Sequence, residues 1–306
     1  MKKLSLVLGM VLVAGMAMAQ NSAKISSTGN YQKAVIDQDI NNMNNTAKIT
    51  QSADGSSATD PTTATITQVS SNNASIAQTG FRQAAWIYQA DNNVGTVSQA
   101  GSWNGSGNYI GGDNNVSSVE QNGKQNNASI KTLHDWNGTL TNPLSIVQQG
   151  DGNQAEISTG WTSSSNGNHA SISQTANENQ SVINQEGGNY NQATINQYSN
   201  LNDANLNQTG SYLVANIDQW GGVENKVNLN QTGGTVNIDQ NGTSNKVQGL
   251  QDASAAEGKL WAEFAGATLN VMQVGTENAL DLKSTTSGAI VDVYQSGMQN
   301  IGIVKN

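Results

Sequence analysis

Apolar and polar residues alternate along most of this chain, in short segments that recur about every 11 residues. In one such segment Asn72, Ala74, Ile76 and Gln78 occupy alternate positions, and Gly80 follows them. Alternate residues of an extended chain point to one face, whereas a helix would spread these four side chains around its circumference. Each segment is therefore predicted to be a β-strand that buries Ala and Ile between two amides.

The segments form a repeat that runs along the chain. The central aliphatic residue defines 22 clear segments between Ile25 and Val304. Of these 22 segments, 17 have Gln two residues after the centre and 15 have Asn four residues before it. Weaker segments are expected at Asn108, Gly249 and Leu260, which brings the total to about 25. A fixed period of this kind indicates a repeat architecture.

The same pattern predicts how the strands pack. A single flat sheet would leave every Ala and Ile face uncovered, because the sequence contains no amphipathic helix to cover it. If successive strands alternate between two sheets, the faces bury one another and residues one coil apart lie over one another. We therefore predict an all-β fold, a two-sheet β-solenoid of about 11–12 coils with two strands per coil and an 11-residue half-period. An up-and-down barrel is the less favoured alternative.

Stacked coils place like amides over like amides, and such amides form hydrogen-bonded ladders in cross-β assemblies. Buried amides are tolerated only when their polar groups are paired, so the solenoid is expected to depend on these ladders. The predicted Gln positions are Gln38, Gln51, Gln68, Gln78, Gln89, Gln99, Gln121, Gln148, Gln174, Gln185, Gln197, Gln208, Gln219, Gln231, Gln240, Gln273 and Gln295. The predicted Asn positions are Asn45, Asn72, Asn126, Asn153, Asn191 and Asn202.

The links between the strands are short, and most contain a glycine. Glycine at a fixed position in a link is typical of a tight turn that requires a positive φ. Three longer links predict inserted loops near residues 54–61, 135–142 and 162–167. Because the pattern resumes after each of them, residues 20–306 are expected to form one continuous array.

The N-terminus has the three parts of a secretory signal peptide. Residues 2–3 are basic, residues 4–15 are largely apolar, and residues 17–19 form a small-x-small cleavage site. The apolar stretch is shorter than the ~20 residues that cross a bilayer, and no later segment predicts a membrane span. We expect residues 1–19 to be removed and the mature chain, with a formal charge of −9 − 2 = −11, to be secreted.

Composition and charge exclude several classes of function. The 306 residues include 43 Asn and 28 Gln, no Cys, and only 11% charged residues. The lack of Cys excludes disulfides and thiol chemistry, and the formal charge of −9 argues against nucleic-acid binding. His134, Asp135 and His169 have no nearby nucleophile or second ligand in the sequence. We therefore predict no catalytic residue, no metal site, no cofactor and no enzymatic activity.

The motif N-x-A-x-I-x-Q-x-G, repeated behind a secretory signal, resembles the curlin repeat of the subunits of bacterial curli fibres. The resemblance covers essentially the whole mature chain. It implies a β-solenoid subunit, either major subunit or nucleator, that polymerises as amyloid on the cell surface for biofilm matrix and adhesion. The implied partners are further copies of the chain, a nucleator subunit and an outer-membrane secretion channel. Unlike well-known curlins, this chain has more repeats, and they begin at Asn21 without a separate targeting segment.

The repeats continue close to both ends of the mature chain, so we expect a stack with open ends that can accept another copy. The residues expected at these self-assembly ends are Ile25, Ile36, Val293 and Val304. The alternative function is a monomeric solenoid adhesin that binds a surface, ice or carbohydrate. The residue before the central aliphatic residue varies between Lys24, Trp86 and Asp281, whereas an ice-binding solenoid would have a uniform row of Thr.

Overall fold

The computed structural model describes residues 21–39, 44–55, 61–135, 142–160, 167–248, 262–284 and 286–305. These ranges contain 25 β-strands and no helix, and therefore no helix that could cross a membrane. The predicted signal peptide, residues 1–19, lies outside the described ranges. The middle parts of the three predicted loops also lie outside them, at residues 56–60, 136–141 and 161–166.

The strands form two sheets. Sheet A contains β1 (Ser22–Thr28), β3 (Thr46–Asp54), β5 (Asn73–Phe81), β7 (Val94–Ser102), β9 (Asn115–Lys124), β11 (Asn142–Gln149), β13 (His169–Gln174), β15 (Gln192–Gln197), β17 (Val214–Trp220), β19 (Thr235–Thr243), β22 (Thr268–Thr276) and β24 (Ile290–Met298). Sheet B contains β2 (Gln32–Gln38), β4 (Thr62–Ser70), β6 (Ala84–Asp91), β8 (Gly105–Asp113), β10 (Asn127–Asp135), β12 (Gln154–Thr159), β14 (Gln180–Glu186), β16 (Asp203–Thr209), β18 (Lys226–Gln231), β20 (Lys246–Gln248), β21 (Ala262–Phe264), β23 (Ala279–Ser284) and β25 (Ile301–Lys305).

Successive strands alternate between the two sheets, and each strand pairs with the strand one coil further along the chain. In sheet A, for example, β3 pairs with β5 and β5 with β7, and the described pairings are parallel throughout both sheets. A barrel of sequential hairpins would instead pair consecutive strands in antiparallel fashion. The prediction of an all-β, two-sheet solenoid with about 11–12 coils is confirmed.

The register places like residues over like residues, and this produces the core. Ile49 lies opposite Ile76, and Ile172 lies opposite Ile195. These Ile side chains and the Ala residues two positions before them are 0–2% exposed, because the inner face of each sheet covers that of the other. Burial of one such Ile contributes about 1.5–3 kcal/mol. The core is therefore a continuous aliphatic column along the axis, without a separate centre for each coil.

Two coils depart from the regular pattern in sheet B. Asn108 occupies the central position in β8, opposite Ile87 and Ile130, as the sequence predicted for that weak segment. The other two weak segments, at Gly249 and Leu260, lie outside the described residues. The central position opposite Leu229 is occupied by Ala262, because β20 and β21 together form one rung across the undescribed residues 249–261. The sequence pattern did not predict this insertion.

The turns combine two backbone conformations. Most of the glycines predicted in the links do have positive φ, as at Gly101 (φ +104°), but in the link before β19 the positive φ belongs to Gly234 and not to Gly233. Sixteen non-glycine residues also have φ between 45° and 65°. Each directly precedes the position at the start of a strand that Asn or Gln occupies in every case except Leu213. Leu201 and Tyr212 are examples, with φ values of 61° and 60°. Bulky residues rarely adopt this conformation, so sequence propensities do not indicate it.

Replacement of Gly101 by Ala is expected to destabilise the solenoid. An ideal Cβ at residue 101 would lie only 1.9 Å from the carbonyl oxygen of Gly123 in the next coil. The backbone strain alone costs about 1–3 kcal/mol, and the clash adds to it. The measurement is the free energy of unfolding in urea, followed by circular dichroism.

Gly105→Ala is the matched control, because the nearest atom to its added Cβ is Asn127 Oδ1, at 3.7 Å. Equal stability of the two variants would contradict the close stacking of the turns.

Candidate functional site

A continuous ladder of Gln side chains runs along sheet A. In each coil Nε2 of the Gln donates a hydrogen bond to Oε1 of the Gln in the next coil, over distances of 2.7–2.9 Å. The members are Gln51, Gln78, Gln99, Gln121, Gln148, Gln174, Gln197, Gln219, Gln240, Gln273 and Gln295. All ten hydrogen bonds point in the same direction along the axis, so the two ends of the ladder differ.

The same amides connect the two sheets. Besides its bond along the axis, Nε2 of Gln148 donates to the backbone carbonyl of Asn127 in β10, at 3.1 Å. Nε2 of Gln121 donates in the same way to the carbonyl of Gly105 in β8, at 2.9 Å. Both N–H groups of these buried amides are therefore paired, as burial requires. Each Gln ties its coil to the next coil and sheet A to sheet B.

The corresponding Gln column in sheet B is interrupted. Gln38, Gln68 and Gln89 form one short ladder, with bonds of 2.9 and 3.0 Å, and Gln185, Gln208 and Gln231 form another, with bonds of 2.8 and 2.9 Å. Between them the column is occupied by Ile110, Thr132 and Thr159, and beyond Gln231 by Phe264 and Ser284. The hydroxyls of Thr132, Thr159 and Ser284 and Oε1 of Gln185 are buried, with no hydrogen-bond partner among the described residues.

The Asn columns bond mainly to the backbone. Oδ1 of Asn126 accepts the backbone N–H of Asn153, and this pattern continues in sheet B from Asn104 to Asn300 over 2.9–3.3 Å. Nδ2 of Asn126 donates to the carbonyl of Gly150 in the turn, at 2.7 Å. Because Asn126 directly precedes β10, its amide lies beside the turns and reaches the neighbouring one; Gln83, at the equivalent position before β6, also donates to a turn carbonyl, that of Gly101 at 3.2 Å. The Asn columns therefore hold the turns, and the Gln ladder holds the strands.

The structure places the predicted Asn residues in these columns. Asn126, Asn153 and Asn202 lie in sheet B, and Asn45, Asn72 and Asn191 lie in sheet A. All six are at most 1% exposed. In sheet A the column stops at Leu213, whose backbone N–H donates to Oδ1 of Asn191 at 2.9 Å.

Each end of the described solenoid is a coil whose strands have a neighbour on one side only. At the N-terminal end these are β1 and β2, and at the C-terminal end they are β24 and β25. Ile25 is 37% exposed, and Ile36, Val293 and Val304 are partly buried against the core. The central residues of the interior coils are almost completely buried. The four predicted end residues therefore present apolar surface that another coil would cover.

The other polar candidates are dispersed. In the described part of the chain, no group of three His, Asp or Glu side chains is arranged to hold a metal ion. His134 and Asp135 end β10, but their side chains lie outside the described part of the chain. Partial burial lowers the pKa of His169 below its usual value, so this ring is neutral at pH 7.

Replacement of Gln148 by Leu is expected to reduce stability by about 2–4 kcal/mol, because it removes the partners of the buried amides of Gln121 and Gln174. The free energy of unfolding in urea measures the effect. The exposed neighbour Gln149 provides the control: Gln149→Leu should change stability by less than about 0.5 kcal/mol. A Gln148→Leu variant as stable as this control would show that the ladder contributes little.

Replacement of Thr132 by Val is expected to raise stability by about 1 kcal/mol, because the buried hydroxyl of Thr132 has no partner among the described residues. Thr62→Val is the matched control. Thr62 is equally buried, but its hydroxyl donates to the carbonyl of Asp54 at 3.2 Å, so its loss should destabilise. Thermal unfolding of both variants is the measurement. Opposite shifts support the hydrogen-bond assignment, and equal shifts contradict it.

Comparisons with known proteins assign no family to the chain. No protein-family model matches the sequence. None of the curated proteins matches it either. The amide columns and the two end coils are therefore the features of the molecule that bear on its function.

Proposed function

We propose that this protein is a secreted structural subunit that assembles end to end into extracellular amyloid fibres of the curli type, for biofilm matrix and adhesion. The observation that carries the proposal is the continuous Gln ladder of sheet A, which extends from the second coil to the last. Identical rungs of amide and aliphatic residues are the basis of cross-β assembly. A stack built in this way can be extended by another copy of itself.

The direction of the backbone hydrogen bonds supports addition at the ends. The outward-facing residues Ser22 and Thr46 donate their backbone N–H groups to carbonyls of the next coil, at 2.8 and 2.7 Å. In the last coil Tyr294 and Ile303 also face outward, so by the same pattern their N–H groups are expected to point away from β22 and β23. A row of such groups along a strand edge is a template for another strand.

The proposed partners and location follow from the sequence. The predicted signal peptide supports export, and the resemblance to curlin repeats supports polymerisation at the bacterial cell surface. The partners proposed are further copies of the chain, a nucleator subunit and an outer-membrane secretion channel. No nucleic acid is included, because the chain has 22 acidic and only 13 basic residues.

A monomeric adhesin that binds carbohydrate is the second candidate. Tyr88 and Tyr109 stack with their ring centroids 4.8 Å apart on the outer face of sheet B. Trp86 is exposed beside them and lies over Gly107. Exposed aromatic faces of this kind can stack on sugar rings. Electron microscopy and Congo red binding of the purified chain 20–306 separate the two candidates. Fibres support the structural subunit, and soluble monomers support the adhesin.

Proline at both Tyr294 and Ile303 is expected to stop growth at the C-terminal end. Proline has no N–H group, and at these positions the missing groups face the open edge and not the neighbouring coil. Seeded elongation, followed by thioflavin fluorescence, should fall by at least about tenfold.

The control carries Thr at both positions, which removes the same side chains but retains the N–H groups. Circular dichroism must show the same β-content for both variants. Equal elongation of the proline and threonine variants would contradict growth through these strand edges.

A further inference from the structure

We infer that the C-terminal coil of one copy lies in register on the N-terminal coil of the next, with two ion pairs across the joint. Asp292 pairs with Lys24 of the next copy, and Lys305 pairs with Asp37 of the next copy. The inference rests on the proposed function and specifies its joint. It gives the partner, the polarity and the register of the contact.

The register follows from the stacking rule inside the chain. Every regular coil places its central aliphatic residue over that of its neighbour, as Ile25 over Ile49 and Val271 over Val293. The same rule at the joint places Val293 over Ile25 of the next copy in sheet A. Because all pairings are parallel, the residue before each of these centres must also be paired. Asp292 therefore lies opposite Lys24.

Sheet B gives the second pair by the same rule. Val304 lies over Ile36 of the next copy, since both occupy the central position of their strand. The residues that follow these centres are then paired, which places Lys305 opposite Asp37. Both sheets thus bring opposite charges together in one common register.

Direct stacking of opposite charges already produces ion pairs inside the solenoid. Asp203 and Lys226 are register partners in neighbouring coils, and their charged atoms lie 3.2 Å apart. Glu263 and Lys283 are also register partners, with their charged atoms at 3.3 Å. The two pairs at the joint have the same geometry, on the same outer face of the sheets.

The charges at the ends are placed where an opposite charge would be favourable. Lys24 is stacked on Lys48, and Lys305 on Lys283, so both ends have like charges in adjacent coils. A carboxylate on the open side of each Lys offsets this repulsion. Asp292 terminates a row of outer-face amides and accepts a hydrogen bond from Asn270 at 2.7 Å. Lys24 of the next copy would continue that row with a positive charge.

The joint also covers exposed apolar surface. Ile303 is 68% exposed, and in the inferred register it lies opposite Val35 of the next copy, which is 38% exposed. A slip of two residues in either direction would place Asp292 opposite a Ser, so the first ion pair is lost both ways. Lys305 would then lie opposite Val35 in one direction and opposite Asp39 in the other. A slip of one residue would turn the aliphatic centres to the solvent. Only the in-register joint combines the two ion pairs with the buried column.

Charge reversal tests the inferred contacts. Lys24→Glu alone and Asp292→Lys alone should each slow seeded elongation of the chain 20–306 by about threefold to tenfold at low salt. The double variant restores the pair with its charges exchanged, so its elongation rate should return to within about twofold of the wild-type rate. Lys246→Glu, which makes the same change on the outer face of β20 in an interior coil, should leave the rate unchanged. Asp37→Lys and Lys305→Glu form the second test set.

The outcomes separate the joint from the proposed function. Rescue by both double variants, together with single-variant effects that weaken as salt is raised, supports the inferred register. If the wild-type chain forms fibres but the double variants elongate as slowly as the single variants, the register is overturned and the proposed function stands. A wild-type chain that forms no fibres would overturn both.

Discussion

Pairing of buried amides along the axis is the constraint on which the rest of the structure depends. An unpaired buried amide is costly, so each Gln in the core needs a hydrogen-bond partner, and along sheet A the Gln of the adjacent coil is that partner. In sheet A this condition is met from Gln51 to Gln295 without interruption. The parallel register, the alternation between two sheets and the absence of a separate core for each coil are all consistent with this requirement.

The two sheets meet the requirement differently. Sheet A carries the continuous Gln ladder, whereas sheet B carries the longer Asn column, from Asn104 to Asn300. Where sheet B loses Gln, at Thr132, Thr159 and Ser284, the buried hydroxyls lack partners in the described structure. The insertion at residues 249–261 also interrupts a strand of sheet B. Irregularity is thus concentrated in one sheet, while the other maintains the register along the axis.

The common direction of the Gln hydrogen bonds affects how copies can assemble. Because all Gln bonds in sheet A point in one direction, the two ends of the stack are chemically different. A head-to-tail joint keeps this direction but places Ser27 of the next copy, which donates to Gln51, opposite Gln295. The proposed fibre and its inferred ion pairs extend the geometry of the interior coils to the contact between copies. The end coils would then have their missing neighbour supplied by a second molecule.

The sequence by itself determined the strands, their inward faces, the two-sheet solenoid and the weak segment at Asn108, because period-two alternation and an 11-residue repeat leave few other ways to bury Ala and Ile. Tertiary structure alone decided which column is continuous. The identity of Thr132 or Phe264 does not reveal which residue lies one coil away when links vary in length. The tertiary structure also decided that Asn bonds to the backbone. It decided as well that bulky residues such as Tyr212 adopt positive φ, because contacts with the adjacent coil outweigh local propensity.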